Sequence, residues 1–127
     1  MKGALLDTSV LVDYLRGVEE SRDIIDKVRT KALDGHVSSL TEAELFAGNE
    51  CEKETKREQI RALISLFTKH NVDNEICQKA GEYKRRYGVP LDDCIIAATA
   101  ALLNLSVFTK NVREFELIKE IKVEDPY

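Results

Sequence analysis

The sequence is short of the residues that staple, disorder or anchor a chain. Its three cysteines, Cys51, Cys77 and Cys94, are odd in number, far apart and without a C-x-x-C pair. That pattern excludes a disulfide framework and a structural zinc site, and leaves them as reduced packing residues. Two prolines and six glycines in 127 residues are too few for a disordered or fibrous chain. No apolar run approaches the roughly 20 residues of a membrane helix. Met1-Lys2-Gly3 leads straight into a strand-like segment without a signal-peptide pattern, so the expectation is a cytoplasmic protein with no membrane partner.

An excess of positive charge is missing too. Nineteen Lys and Arg against 23 Asp and Glu leave a net charge of −4, which excludes binding nucleic acid through overall basicity. A nuclease is not excluded, because a carboxylate cluster itself lowers the net charge. Phosphate contacts could come from local groups such as Lys53, Lys56, Arg57 and Arg61, or Lys84, Arg85 and Arg86. The only two histidines carry no motif; His36 is expected to begin a strand and His70 to end a helix against its dipole.

What is present is a globular balance, 43% hydrophobic and 33% charged, in a length that suits one domain spanning 1–127. Short apolar runs alternate with longer helical patterns, which predicts an α/β domain with a mostly parallel sheet. Strands are predicted at Ala4 to Leu6, His36 to Ser38, Ser106 to Phe108 and, more weakly, Lys122 to Glu124. One helix is predicted over Glu52 to Lys69, where Ile60, Leu63, Ile64 and Phe67 recur at helical spacing. A second runs from Asn74 to Gly88, which takes the C′ position with Pro90 behind it. The Asp93 to Leu103 segment is apolar nearly all round, as a buried helix would be.

Acidic residues fall just past these apolar runs. Asp7 closes Ala4-Leu5-Leu6, and ligands of open α/β sheets bind at the carboxyl ends of strands; an N-cap role competes for the same oxygens. Glu44 lies in Thr41-Glu42-Ala43-Glu44, which also matches a capping box. Glu42 faces away from Glu44 on a helix, so only one of them can address a given site. Asp92 and Asp93 head the alanine-rich helix, where one is expected to cap it and the other to turn toward the sheet edge. Glu114, with Asn111, follows the last clear strand, and its ordinary reading is a solvated carboxylate. Anions gathered in a low-dielectric pocket repel unless a cation is present, so the joint pattern points to a hard divalent metal.

Four segments together resemble the PIN-domain family, in particular the short VapC-type toxins of toxin–antitoxin pairs. They are Leu6-Asp7-Thr8-Ser9-Val10-Leu11-Val12-Asp13, Ser38 through Gly48, Leu91-Asp92-Asp93-Cys94-Ile95-Ile96-Ala97-Ala98-Thr99-Ala100, and Phe108-Thr109-Lys110-Asn111-Val112-Arg113-Glu114-Phe115. The resemblance covers essentially the whole chain. It implies a three-layer α/β/α sandwich and an endoribonuclease using Mg²⁺ or Mn²⁺ that leaves a 5′-phosphate and a 3′-hydroxyl.

The resemblance selects Glu44 over Glu42 and Asp93 over Asp92. It implies Asp7, Glu44, Asp93 and Glu114 as catalytic residues, with Asp7 and Asp93 on the metal. Ser9, Thr109 and Asn111 would support them. Relatives often carry Asp where this chain has Glu114 or Asn111. The implied partners are an RNA substrate, a VapB-like antitoxin and a second copy of the chain, with Ile60 to Phe67 and Ala97 to Leu103 as apolar segments available for interfaces. The alternatives are a non-toxin PIN nuclease of RNA processing and a Mg²⁺-binding α/β module, such as a phosphate receiver, without nuclease activity.

Overall fold

The computed structural model describes residues 3–127; Met1 and Lys2, the lead-in to the first strand, lie outside the described residues. Five parallel strands form one sheet: β1 (Gly3–Leu6), β2 (Asp34–Ser38), β3 (Thr68–His70), β4 (Ser106–Phe108) and β5 (Lys122–Glu124), in the spatial order β3-β2-β1-β4-β5. The helices are α1 (Thr8–Leu15), α2 (Glu19–Arg29), α3 (Ser39–Phe46), α4 (Glu54–Ile64), α5 (Asn74–Tyr87), α6 (Leu91–Leu103) and α7 (Val112–Phe115).

Side chains alternate across β1, and that alternation sets up three layers. Ala4 and Leu6, with Val37 of β2 and Phe108 of β4, pack against Val10 and Leu11 of α1, Ile24 and Ile25 of α2, and Ile60 and Leu63 of α4. Leu5 and Val107 face the other way, onto Ile76, Ala80 and Tyr83 of α5 and Ile96, Ala97 and Ala100 of α6. A parallel sheet covered on both faces is the α/β/α sandwich that the resemblance implied. The alanines of α6 let it lie close to the strands. Gly35 serves the opposite face, where an added Cβ would stand 2.8 Å from Val28 and 2.9 Å from Phe67.

Two predicted elements need correction. The helix expected over Glu52 to Lys69 begins at Glu54, after a short 3₁₀ turn at Asn49–Glu52, and stops at Ile64. Phe67 continues the helical spacing because it enters the same core from the turn that follows, and Thr68–His70 then pair with β2 as a short edge strand. His70 accordingly ends a strand, and His36 lies inside β2. His36 Nδ1 is 2.8 Å from His70 Nε2, and its Nε2 is 2.8 Å from Asp34 Oδ2. The capping box is also absent. Ser38 caps α3, its hydroxyl accepting the Leu40 amide at 3.0 Å, so Thr41 and Glu44 both lie within the helix.

The apolar segments offered for interfaces are largely spent on the core. Ile60, Leu63, Ile64 and Phe67 are buried, as are Ala97, Ala98 and Ala100, whereas Leu102 and Leu103 are exposed. Among the described residues no helix is long and apolar enough to cross a membrane. The strand order also separates this chain from a phosphate receiver, whose order is 2-1-3-4-5.

Candidate active site

The chain leaves β1 toward β2 and later returns on the other side as β4, so the winding direction reverses between these neighbouring strands. A crevice opens beyond the carboxyl ends of strands at such a reversal. Asp7 follows β1 there and Thr109 follows β4. Asp7 lines a cleft of about 340 Å³ together with Ser9, Glu44, Asp92, Asp93 and Asn111, and the buried Thr109 lies behind it.

Asp7 occupies the N-cap position of α1 but makes no capping hydrogen bond. Its Oδ2 instead accepts the hydroxyl protons of Ser9 at 3.0 Å and Thr109 at 2.8 Å. Ser9 Oγ in turn accepts the Lys110 amide at 3.2 Å, and Thr109 Oγ1 accepts the Asn111 amide at 2.9 Å. These bonds fix the carboxylate's orientation while its Oδ1 carries no hydrogen bond among the described residues. Ser9 and Thr109 thus hold Asp7. Asn111 lines the cleft, and its backbone rather than its side chain joins this network.

Asp93 is buried in the first turn of α6, whereas Asp92 is exposed and accepts the Asp93 amide at 3.0 Å. The N-cap itself is Pro90, so neither aspartate fills the capping position expected of one of them. Asp93 has its carboxyl pushed up to about 8, first by burial, then by a hydrogen bond with Glu114 and by the charges of Asp92 and Asp7. Glu114, which adds to that upward shift, is itself exposed on α7 and is not among the residues that line the cleft.

Glu44 reaches the cleft from α3 and accepts the Thr8 hydroxyl at 2.6 Å; Thr8 Oγ1 also lies 3.0 Å from Thr41 Oγ1. A hydroxyl has one proton, so Thr41 supplies the second bond. Glu42 points elsewhere, ion-paired with Lys69 at 3.0 Å. Thr8 and Arg16, which also line the cleft, were not singled out from the sequence. Thr8 stands beside the quoted Asp7 and Ser9, but only the fold brings it to Glu44.

No ion pair joins Asp7, Glu44, Asp93 or Glu114 to any other described residue. Among the described residues no three His, Cys, Asp or Glu side chains stand close enough to cage an ion unaided. Mg²⁺ ordinarily uses one or two carboxylates and keeps several waters, so an open, all-oxygen cleft suits it. The oriented Asp7 and the charge-frustrated Asp93 fit such an ion.

A family model described as the PIN domain matches residues 4–121. The chain is 32% identical over 125 residues to ribonuclease VapC10 of Mycobacterium tuberculosis, covering 93% of this chain and 90% of that protein. It is 33% identical over 130 residues to ribonuclease VapC1 of Methanocaldococcus jannaschii, covering 95% and 86%. Its fold is similar to a chain in the DNA-bound VapBC structure from Salmonella typhimurium, with a TM-score of 0.84, 26% identity and full coverage of both chains. A toxin–antitoxin complex from Klebsiella pneumoniae gives 0.81 and 28%, covering 98% of each chain.

Proposed function

The chain belongs to the PIN-domain family, and on that premise we propose that it is a divalent-metal-dependent endoribonuclease, the toxin of a VapBC-type pair. The observation that supports the chemistry is that Asp7, Glu44 and Asp93 line one cleft without an ion-pair partner among the described residues, while Glu114 acts on Asp93 from α7. VapC-type PIN nucleases are in general divalent-metal dependent, and Mg²⁺ or Mn²⁺ suits these oxygens. Bound there, such an ion would lower the pKa of a water and stabilise charge developing on a phosphodiester.

Asp7 and Asp93 would hold the ion. The Ser9 and Thr109 hydroxyls keep the Asp7 carboxylate aimed through their hydrogen bonds to its Oδ2. Asp93, whose carboxyl is raised by burial and neighbouring acids, would give up its proton to hold a cation there. Glu44, held by Thr8, and Glu114, beside Asp93, complete the acidic wall and orient waters; Asn111 at the rim serves as a neutral donor. Similarity to chains of a VapBC structure and of a toxin–antitoxin complex supports a VapB-like antitoxin as partner. A homodimer is the expected assembly, and the exposed Leu102 and Leu103 of α6 are available to it.

Cleavage of a fluorescent single-stranded RNA in EDTA, Mg²⁺ or Mn²⁺ tests this reading. Metal-dependent cleavage, lost in Asp7→Asn and Asp93→Asn, is expected. A folded protein that cleaves equally well in EDTA, or retains activity in both variants, would contradict it.

A further inference from the structure

A second cavity, of about 440 Å³, adjoins the acidic cleft and shares Val12, Arg16 and Glu44 with it. Leu45 and Ile60 give it apolar walls, and Lys56 and Cys51 stand at its border. Its volume falls in the range of small-ligand sites. Arg16 and Lys56 bring two cations to this cavity. Neither forms an ion pair among the described residues, whereas the neighbouring Arg57 and Arg61 are both tied to Glu54. Of the side chains lining the acidic cleft, Arg16 is the sole cation.

A chain of net charge −4 with an acidic centre repels a polyanion, so the unpaired cations nearest that centre decide where a strand can lie. We infer that this cavity binds the nucleotide next to the scissile phosphate of a single-stranded RNA, its base against the aliphatic wall and its phosphate between Arg16 and Lys56. The inference rests on the ribonuclease reading and deepens it by assigning a substrate subsite. A strand with one phosphate at Asp7 and Asp93 carries its neighbouring nucleotide to this cavity, because the two spaces share a wall. No aromatic side chain lines it, so the base gains no ring stacking. Selectivity then follows base size, and Glu44 and Glu50 at the border bar a second phosphate.

The test is binding of a fluorescein-labelled RNA 8-mer to the full chain in EDTA, by anisotropy across NaCl concentrations, for wild type, Lys56→Ala and Lys122→Ala. Lys122 begins β5 at the opposite edge of the sheet and serves as control. In parallel, alkylation of Cys51 is followed in a Cys77→Ser background with and without RNA, since Cys94 is buried and Cys51 only half-buried. Lys56→Ala should weaken binding about three- to tenfold and flatten the slope of log K on log salt by about 0.7, the increment of one phosphate contact. Lys122→Ala should leave both unchanged, and RNA should slow Cys51 alkylation.

RNA binding and cleavage that persist with an unaltered slope in Lys56→Ala and no protection of Cys51 would overturn the subsite while leaving the nuclease intact. Cys51 protection that rises with protein concentration alone would give the cavity to a second copy and overturn it too. Neither binding nor cleavage by wild type would sink the parent reading, and the subsite with it.

Discussion

Carboxylates at the rim of this molecule and carboxylates in its cleft live under opposite electrostatics. Glu54 is bracketed by Arg61 at 2.9 Å and Arg57 at 2.6 Å, and these partners, Arg61 first, hold it below the usual range. Asp125 is lowered by Lys110 and the Tyr127 amide. Asp26 pairs with Arg29 and Glu42 with Lys69. In the cleft, by contrast, Asp93 is buried among Glu114, Asp92 and Asp7, and its carboxyl moves upward. Rim pairs cost little and contribute little, as exposed ion pairs generally do. The cleft stores repulsion that a cation would relieve, so its acids lower the stability of the free protein and make it selective for a positive charge.

The difference can be broken most forcefully from the cleft side. Asp7→Asn or Asp93→Asn should slow RNA cleavage about 10³-fold or more, the rate equivalent of roughly 4 kcal/mol of lost transition-state stabilisation. Single-turnover kinetics at saturating Mn²⁺ would show it. Thr109→Val removes a hydroxyl from Asp7 without removing a carboxylate, and should weaken Mn²⁺ affinity about 10- to 100-fold by titration, as loss of a ligand's supporting hydrogen bond does.

Stability should respond in the reverse sense. Because the Asp93 carboxyl is raised in the folded state, the fold keeps a proton that the unfolded chain gives up between about pH 4 and pH 8. Folding stability therefore falls through that window as pH rises, and the penalty is full above about pH 8. In EDTA, Asp93→Asn should raise Tm by about 5 °C at pH 9 and hardly at all at pH 4, a contrast that calorimetry would register. The smallest effect is expected at the rim, where Glu54→Gln should lower Tm by at most about 3 °C, shrinking further in 0.5 M NaCl.

Much of this contrast was legible before any coordinates. Asp7, Asp93 and Glu114 follow or precede apolar runs, and a parallel sheet brings such ends together; β1, β2 and β4 showed as apolar runs, β5 more weakly, α5 as an apolar stripe and α6 as a nearly continuous apolar segment. The strand β3 was hidden because Phe67 keeps helical spacing with Ile60 and Ile64 although the helix has ended, and three residues give too little alternation to register. That concealment had a consequence for the site. Glu42 is drawn away by Lys69 of β3, so the physical choice between Glu42 and Glu44 depended on a strand the pattern did not reveal. The Thr109 to Asp7 bond spans 102 residues, and local spacing cannot report such a pairing. Arg16 and Lys56 were lost among many surface cations until the fold placed both on one cavity beside the acidic cleft.

Calorimetric titration of the protein with Mn²⁺ at pH 7, in two buffers of different ionisation enthalpy, tests the meaning of the cleft most directly. Binding should release about one proton per ion from Asp93; Asp93→Asn should abolish that release and weaken binding, while Glu54→Gln changes neither. Absence of Mn²⁺ binding by the folded wild type, or binding of equal strength in Asp93→Asn, would contradict the reading of these acids as a metal centre.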